Sequence, residues 1–468
     1  MNKESSILQF FKSICRFNFG NFETQEFKKF LRLGAIFALI IGIYWTLRPL
    51  KDAVFIHLVG GLQIPFAKTI SVIALLPLVI FYTKLLEKNS KEKMLVILPL
   101  AYSISIFIIS ILLWQCWGSS SEIAGRSSIF LSCTKVFGYF FYLFVESFGS
   151  LVIALFWAFA TDTTVPASAK RGFPLVVTLG QMGGVVLPYT IGGLPHRLGL
   201  TSDTLSLLIL GVLTFLIIPL FRYFLKSTPK ALLTTFEGSN QTVKESIHET
   251  GFLEGLKLLL KNRYLLGIFA VNFVFEVVVT IFDFNFKLAA SSVYSGVVLS
   301  NYLSIYASSV NIVALLCLVL GISNITRYLG VGVALALTPI IVGLALFGFL
   351  NINSLSFLFA LMVGSKAINY ALNGPALKQL YIPTTKDVKF KAQAWVETFG
   401  SRTSKQVGSV FNMSLSPLQT AFGTLAGKSH YLALSGAICF PLLGVWLIIT
   451  LFLGKSFRKA INTNTVIC

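Results

Sequence analysis

The stretch GAIFALIIGIYWTLRPLKDAVFIH, residues 34–57, decides how the chain is read. Gly34 to Leu47 carry no charge, and a run of about 20 apolar residues is what an α-helix needs to cross the hydrocarbon core of a bilayer. Arg48, Lys51 and Asp52 then interrupt the run. A charge at the centre of such a helix costs about 2.5 to 3.5 kcal/mol on insertion scales, so these three residues need a reason to be there. Arg48 and Lys51 stand three apart on one face. Pro49 is expected to break the helix and turn freed backbone groups toward a cavity. A local ion pair between Arg48 and Asp52, four apart, is the plainer alternative, and it leaves Lys51 unpaired.

Further apolar runs follow at about 64–86, 94–117, 129–160, 173–195, 204–224, 264–287, 299–321, 328–350, 355–377, 390–413 and 430–453. The composition agrees: 55% of the 468 residues are hydrophobic and 12% charged, against about 25% charged in a soluble domain. Mean hydropathy is +0.80. The chain reads as an all-α integral membrane protein with twelve transmembrane helices. Its net charge of +20 would suggest nucleic acid in a soluble protein. Here the basic residues alternate with the runs instead. Lys3, Lys12, Arg16, Lys28, Lys29 and Arg32 precede the first run, and Lys84, Lys88, Lys91 and Lys93 follow the second. Lys170, Arg171, the group from Arg222 to Arg263, Arg327, Lys378, Lys386, Lys389, Lys391 and Lys455 to Lys459 continue the same set. The opposite loops offer Arg126, Arg197 and Lys428. The positive-inside rule therefore predicts two cytoplasmic termini and an even number of spans, and no nucleic-acid partner is expected.

Residues 1–33 form a cytoplasmic N-terminus whose Ile7, Leu8, Phe10, Phe11 and Ile14 suggest an amphipathic helix on the membrane surface. No cleaved leader is expected, because apolar residues become continuous only near Leu33. The hydrophilic stretch 226–262 divides a first half, 34–225, from a second, 263–454, and 455–468 is a cytoplasmic tail. Thr178-Leu179-Gly180 and Thr398-Phe399-Gly400, 220 positions apart, echo one another after basic loops. Two six-helix halves about a central cavity is the major-facilitator arrangement, with the substrate site near the midplane. Six Cys without a CxxC pair and four scattered His make no metal or disulfide framework, and no cofactor is expected. Gly423 to Ser429 imitates a phosphate-binding loop, but it has three residues between its glycines where four are needed, and it is expected to be an external turn.

Other spans also carry charges. Tyr139, Tyr142, Glu146 and Ser150 recur at helical spacing in the fourth, and Asn272, Glu276, Thr280 and Asp283 in the seventh, with Lys287 at its outer end. These carboxylates are open to three uses: pairing with the first-span bases, taking up protons, or bonding a ligand. Glu397, Ser401 and Lys405 share a face of the eleventh span with Arg402 beside them, and Lys378 follows Gly374-Pro375 in the tenth. Several intramembrane bases from both halves suit a polyvalent organic anion, a phosphorylated metabolite above all, since Arg matches phosphate oxygens with a planar fork. No His cluster or carboxylate pair at one interface supports a membrane-integral enzyme.

The motifs Leu47-Arg48 with Lys51-Asp52, Glu146 with Phe148-Gly149-Ser150, Lys170-Arg171 leading to Leu179-Gly180, Glu276, Gly330 to Ala334 with Thr338-Pro339, Tyr381-Ile382-Pro383, and Lys389-Phe390-Lys391 before Glu397 to Arg402 and Lys405 run through most of the chain. In order and spacing it resembles the ATP/ADP translocases of intracellular bacteria and plastids. The resemblance implies a nucleotide transporter that works by alternating access, and a monomer in a bacterial inner membrane is expected. It carries Lys51, Glu146 and Glu276 over as functional residues. Leu377 stands where the family has Lys, with Lys378 next to it, and Pro49 stands where the family has an acidic residue. Exchange of ATP for ADP is the leading expectation; proton-coupled import of GTP or other nucleotides, NAD, and another phosphorylated metabolite stay open. The expected substrate-binding residues are Arg48, Lys51, Glu146, Glu276, Lys378, Arg402 and Lys405. Asp52, Glu146, Glu276, Asp283 and Glu397 are candidates for proton transfer or gating.

Overall fold

The computed structural model describes residues 23–116, 128–229, 232–233, 252–319, 329–352, 354–385, 388, 392–396, 400–463 and 465–467. The expected N-terminal amphipathic segment, most of the 226–262 linker and Glu397 lie outside the described residues. The chain runs through α1 (Thr24–Leu58), α2 (Ile64–Lys88), α3 (Lys91–Cys116), α4 (Ser128–Asp162), α5 (Pro166–Leu187) and α6 (Thr204–Ser227). After the linker come α7 (Arg263–Val293), α8 (Gly296–Val319), α9 (Val331–Asn351), α10 (Leu355–Ile368), α11 (Ser401–Asn412) and α12 (Thr424–Thr463). Among the described residues, eleven helices are long and apolar enough to cross a membrane. Large apolar side chains such as Ile73, Trp114, Leu344 and Ile448 point outward from the bundle, where lipid would meet them.

The helices depart from the predicted spans in ways the sequence explains. Of the eleventh run, the described residues include the short helical piece Gln393–Trp395 and α11, whose first turns are polar because Ser401 to Gln406 contains no large apolar residue. Pro49 does not break α1: the helix continues to Leu58, with Leu47 and Leu50 both fully buried on either side of the proline. Packing there outweighs the lost backbone donor. α10 passes through a π-turn, Asn369–Asn373, into a further helical piece, Gly374–Gln379, whose first turn takes Pro375 without needing its N–H. The expected external turn at 423–429 reduces to Gly423, at φ 81°, because α12 begins at Thr424. The supposed tail is helical as far as Thr463.

Small residues set the closest helix contacts. On α1, Gly34 lies against Leu179 and Gly42 against Leu187 of α5, while a Cβ on Gly183 would fall 1.9 Å from the Ala38 carbonyl oxygen. In the second half α7 and α11 pack in the corresponding way: a Cβ on Gly408 would lie 3.0 Å from the Val277 carbonyl oxygen. The sequence echo has a structural counterpart, since Gly180 abuts Phe37 of α1 and Gly400 abuts Phe269 of α7. α3 packs on α6 as α9 packs on α12, the latter with Gly332 against Gly454. One apolar core fills the helices before the linker and another those after it.

The halves meet from mid-helix to the end of the bundle opposite residues 24 and 463, called here the distal end. There a third core joins Phe55, Ile64, Ala67 and Tyr142 to Phe284, Leu415 and Tyr431. Ser308 of α8 donates to the Val185 carbonyl of α5 at 3.0 Å, and Ser300 donates to the buried Asp203 carboxylate just before α6. At the terminal end, α1 is tied to its own half. Lys29 donates to the carbonyls of Thr163 (2.5 Å) and Leu232 (2.9 Å), Arg32 to that of Ser227 (2.8 Å), and Arg171 pairs with Glu26 at 3.1 Å.

Candidate functional site

Each intramembrane charge of α1 has a different fate, fixed by its place on the helix. Lys51, 2% exposed, donates to Glu146 of α4, lies 3.6 Å from Asp52, and sits 3.9 Å from the centroid of the Tyr142 ring. Asp52 faces the other half and binds Lys287 of α7 at 2.8 Å. Arg48 has no hydrogen-bond or ion-pair partner among the described residues; its guanidinium lies 5.4 Å from the Trp45 ring centroid and remains partly accessible in the bundle interior. The local Arg48–Asp52 pair is therefore not formed, and Lys51 is not left unpaired.

Asp283 of α7 is the hub of the distal network. Its carboxylate receives Lys287 at 2.5 Å and Lys366 of α10 at 2.7 Å, with Lys68 of α2 at 3.6 Å. The i,i+4 spacing of Asp283 and Lys287 puts them on one face of α7, and the same Lys287 also holds Asp52, so one ammonium bridges the two halves. Lys366 lies over Tyr306, 5.1 Å from the ring centroid.

A second group lies nearer mid-bundle. Glu276 accepts from Ser401 at 3.0 Å and pairs with Lys405 at 3.5 Å. Arg402 donates to the Ser150 hydroxyl at 3.1 Å, across the halves, while Gln406 donates to Thr69 of α2. Trp45 of α1 meets Tyr370 edge to face at 6.4 Å, placing an aromatic pair beside Arg48. Together Arg48, Lys51, Lys68, Lys287, Lys366, Arg402 and Lys405 face Asp52, Glu146, Glu276 and Asp283, which leaves three cations in surplus among these described residues. Uncompensated charge in a low-dielectric interior is costly, so an arrangement of this kind can take up an anion.

Of the expected residues, Arg48, Lys51, Asp52, Glu146, Glu276, Asp283 and Arg402 are brought into this interior, and Lys405, half of its side chain exposed, reaches it through Glu276. Lys378 is not; it is exposed, past the π-turn of α10 and toward the terminal end. Lys68 and Lys366 escaped the sequence reading, although each is a base inside a predicted apolar run, which was the signal that marked Arg48.

A family model described as TLC ATP/ADP transporter matches residues 6–457. The chain is 25% identical to ADP,ATP carrier protein 1 of Rickettsia prowazekii, over 94% of this chain and 96% of that one. Among solved structures it is similar to a bacterial homologue of the iron transporter ferroportin in an inward-facing state, with TM-score 0.61, 12% identity and coverage of 94% of this chain and 99% of that one. A D-xylose–proton symporter gives TM-score 0.56 at 13% identity, covering 91% and 97%. At such identities these two speak for the fold alone, which is of the major-facilitator type.

Proposed function

The chain belongs to the TLC ATP/ADP transporter family, and from that premise we propose that it exchanges ATP for ADP by alternating access, holding their phosphates between the halves. The observation that carries this reading is the cation surplus around Arg48. A phosphate monoester carries about −1.5 to −2 at neutral pH, less than three surplus cations demand, whereas a nucleoside di- or triphosphate carries more. Arg48, with no acceptor to surrender among the described residues, is the group free to take a phosphate bidentately. Arg402 and Lys405 reach the same space from the other half, and the Trp45–Tyr370 pair gives the base a surface to stack on.

The same surplus favours exchange over one-way passage. Closing the halves around an empty site buries uncompensated cations, while closing them around a nucleotide buries a neutralised one. The carrier would therefore reorient loaded. With the termini cytoplasmic, as the distribution of Lys and Arg indicates, the joined distal end faces outward and the space opens toward the cytoplasm. We propose a bacterial inner membrane as its location and a monomer as its working unit. Labelled ATP uptake into cells expressing the protein tests the reading: preloaded ADP should raise it and a proton uncoupler should not. Uptake abolished by the uncoupler would point to proton-coupled import instead.

A further inference from the structure

Asp283 is a single carboxylate that three lysines approach from three helices, and these lysines are not equivalent. Lys287 is fixed on two sides, by Asp283 and by Asp52, which ties it to the closure of the distal end. Lys366 has Asp283 as its counter-ion and the Tyr306 ring beneath it. Lys68 stands furthest off, at 3.6 Å, and its side chain is the most accessible of the three, 23% against 11% for Lys366 and 7% for Lys287. One carboxylate cannot neutralise Lys68 and Lys366 while it also holds Lys287. The mismatch lies on the distal side of Arg48, one turn along from it through Asp52 and Lys287.

We propose that Lys68 and Lys366 form a terminal-phosphate subsite, so that this corner of the cavity counts phosphates and sets the preference for nucleoside tri- and diphosphates over monophosphates. The inference rests on the nucleotide reading of the site and deepens it. An incoming terminal phosphate supplies the anionic oxygens that Asp283 alone cannot, and it takes over Lys68 first, since that ammonium lies furthest from the carboxylate. Lys366 then shares its proton donors between Asp283 and the phosphate. Asp283 keeps Lys287 throughout, so the subsite fills without leaving a buried carboxylate unpaired. A monophosphate held at Arg48 does not reach this corner and gains nothing from it.

Equilibrium binding of ATP, ADP and AMP to the purified full-length protein in detergent tests this, with Lys68→Ala, Lys366→Ala and the charge-preserving Lys366→Arg compared with wild type. Binding is measured rather than uptake because it does not depend on reorientation. Both alanine variants should weaken ATP by about 10-fold or more and AMP by less than about 2-fold, and Lys366→Arg should restore most of the ATP-to-AMP ratio. Retention of the wild-type ratio in both alanine variants, with all three ligands still bound, would overturn the subsite and leave the nucleotide reading standing. A wild-type protein that binds none of the three would overturn that reading and the subsite with it.

Discussion

The first helices of the two halves, α1 and α7, occupy corresponding places, each packed on the fifth helix of its own half through glycine, yet they carry opposite charge. Away from its ends, α1 brings Arg48 and Lys51 with one carboxylate, Asp52, and α7 brings Glu276 and Asp283 with one ammonium, Lys287. The odd charge on each helix is the one that crosses, since Asp52 binds Lys287. The remaining charges turn to neighbouring helices, Lys51 to Glu146, Glu276 to Lys405, and Asp283 to Lys366. A repeat that kept identical charges in both halves would repel itself across the midplane. Divergence in sign lets the halves hold one another and leaves Arg48 without an ion-pair partner among the described residues.

The sharpest way to break this comparison is to remove a satisfied cation. Lys51→Ala leaves Glu146 facing a buried void, and because the Glu146 side chain keeps a third of its surface accessible the cost should be near the low end for a broken buried pair, about 3 kcal/mol. A large fall in detergent melting temperature is expected, together with loss of uptake; an unchanged melting temperature would show that the pair holds nothing together. Arg48→Ala is the contrasting case. With no acceptor to orphan among the described residues, it should leave the melting temperature within a degree or so while lowering ATP binding by about 100-fold, the worth of a charged hydrogen-bonded contact. If both variants unfold alike, the distinction between satisfied and unsatisfied bases fails.

Packing offers a smaller test of the same correspondence. Gly183→Ala forces a methyl against the backbone of Ala38, which cannot swing aside, and should cost about 2 kcal/mol. Gly408→Ala meets its neighbours at 2.9 to 3.0 Å and should cost less, so the ratio of the two melting shifts measures how much tighter the first half is built. The smallest expected effect concerns Asp203 at the distal seam. Burial pushes its carboxyl up to about 7, against the hydrogen bond from Ser300, and its second oxygen finds no partner among the described residues. A folded-state value above the unfolded 3.8 means that the native state holds the extra proton between those limits, so stability falls as pH rises from about 4 through 7 and is flat above. Asp203→Asn should raise the melting temperature by a few degrees at pH 8 and leave it unchanged near pH 4; equal shifts at both would show that its charge is irrelevant.

Much of this was legible in the sequence, and the reasons for the rest are physical. Apolar run length gives the spans because a bilayer imposes it, and helical spacing exposes the stripes of α4 and α7. The Gly180 and Gly400 echo survives because the same aromatic contact must be accommodated twice. What one helix cannot reveal is its partner. The pairing of Asp52 with Lys287 rather than with Arg48 depends on how α1 and α7 face one another, and nothing in either stretch states it. Lys68 and Lys366 were passed over because each is a lone base in an apolar run rather than part of a stripe. Pro49 misled for a related reason, since its local preference is overruled by packing on both sides.

α1 is 35 residues long, about 52 Å at 1.5 Å per residue, against a hydrocarbon core of about 30 Å. Lys51 and Lys29 are 22 residues apart on it, so the interior charges and the grip on Leu232 stand at the ends of a lever of about 33 Å. A tilt of about 10° at the ligand end sweeps the other by about 6 Å, more than a helical turn. The segment after α6 is thus harnessed to the first helix as a pointer is to its needle, and a label placed near Leu232 would register what arrives beside Arg48 from the far side of the membrane's midplane.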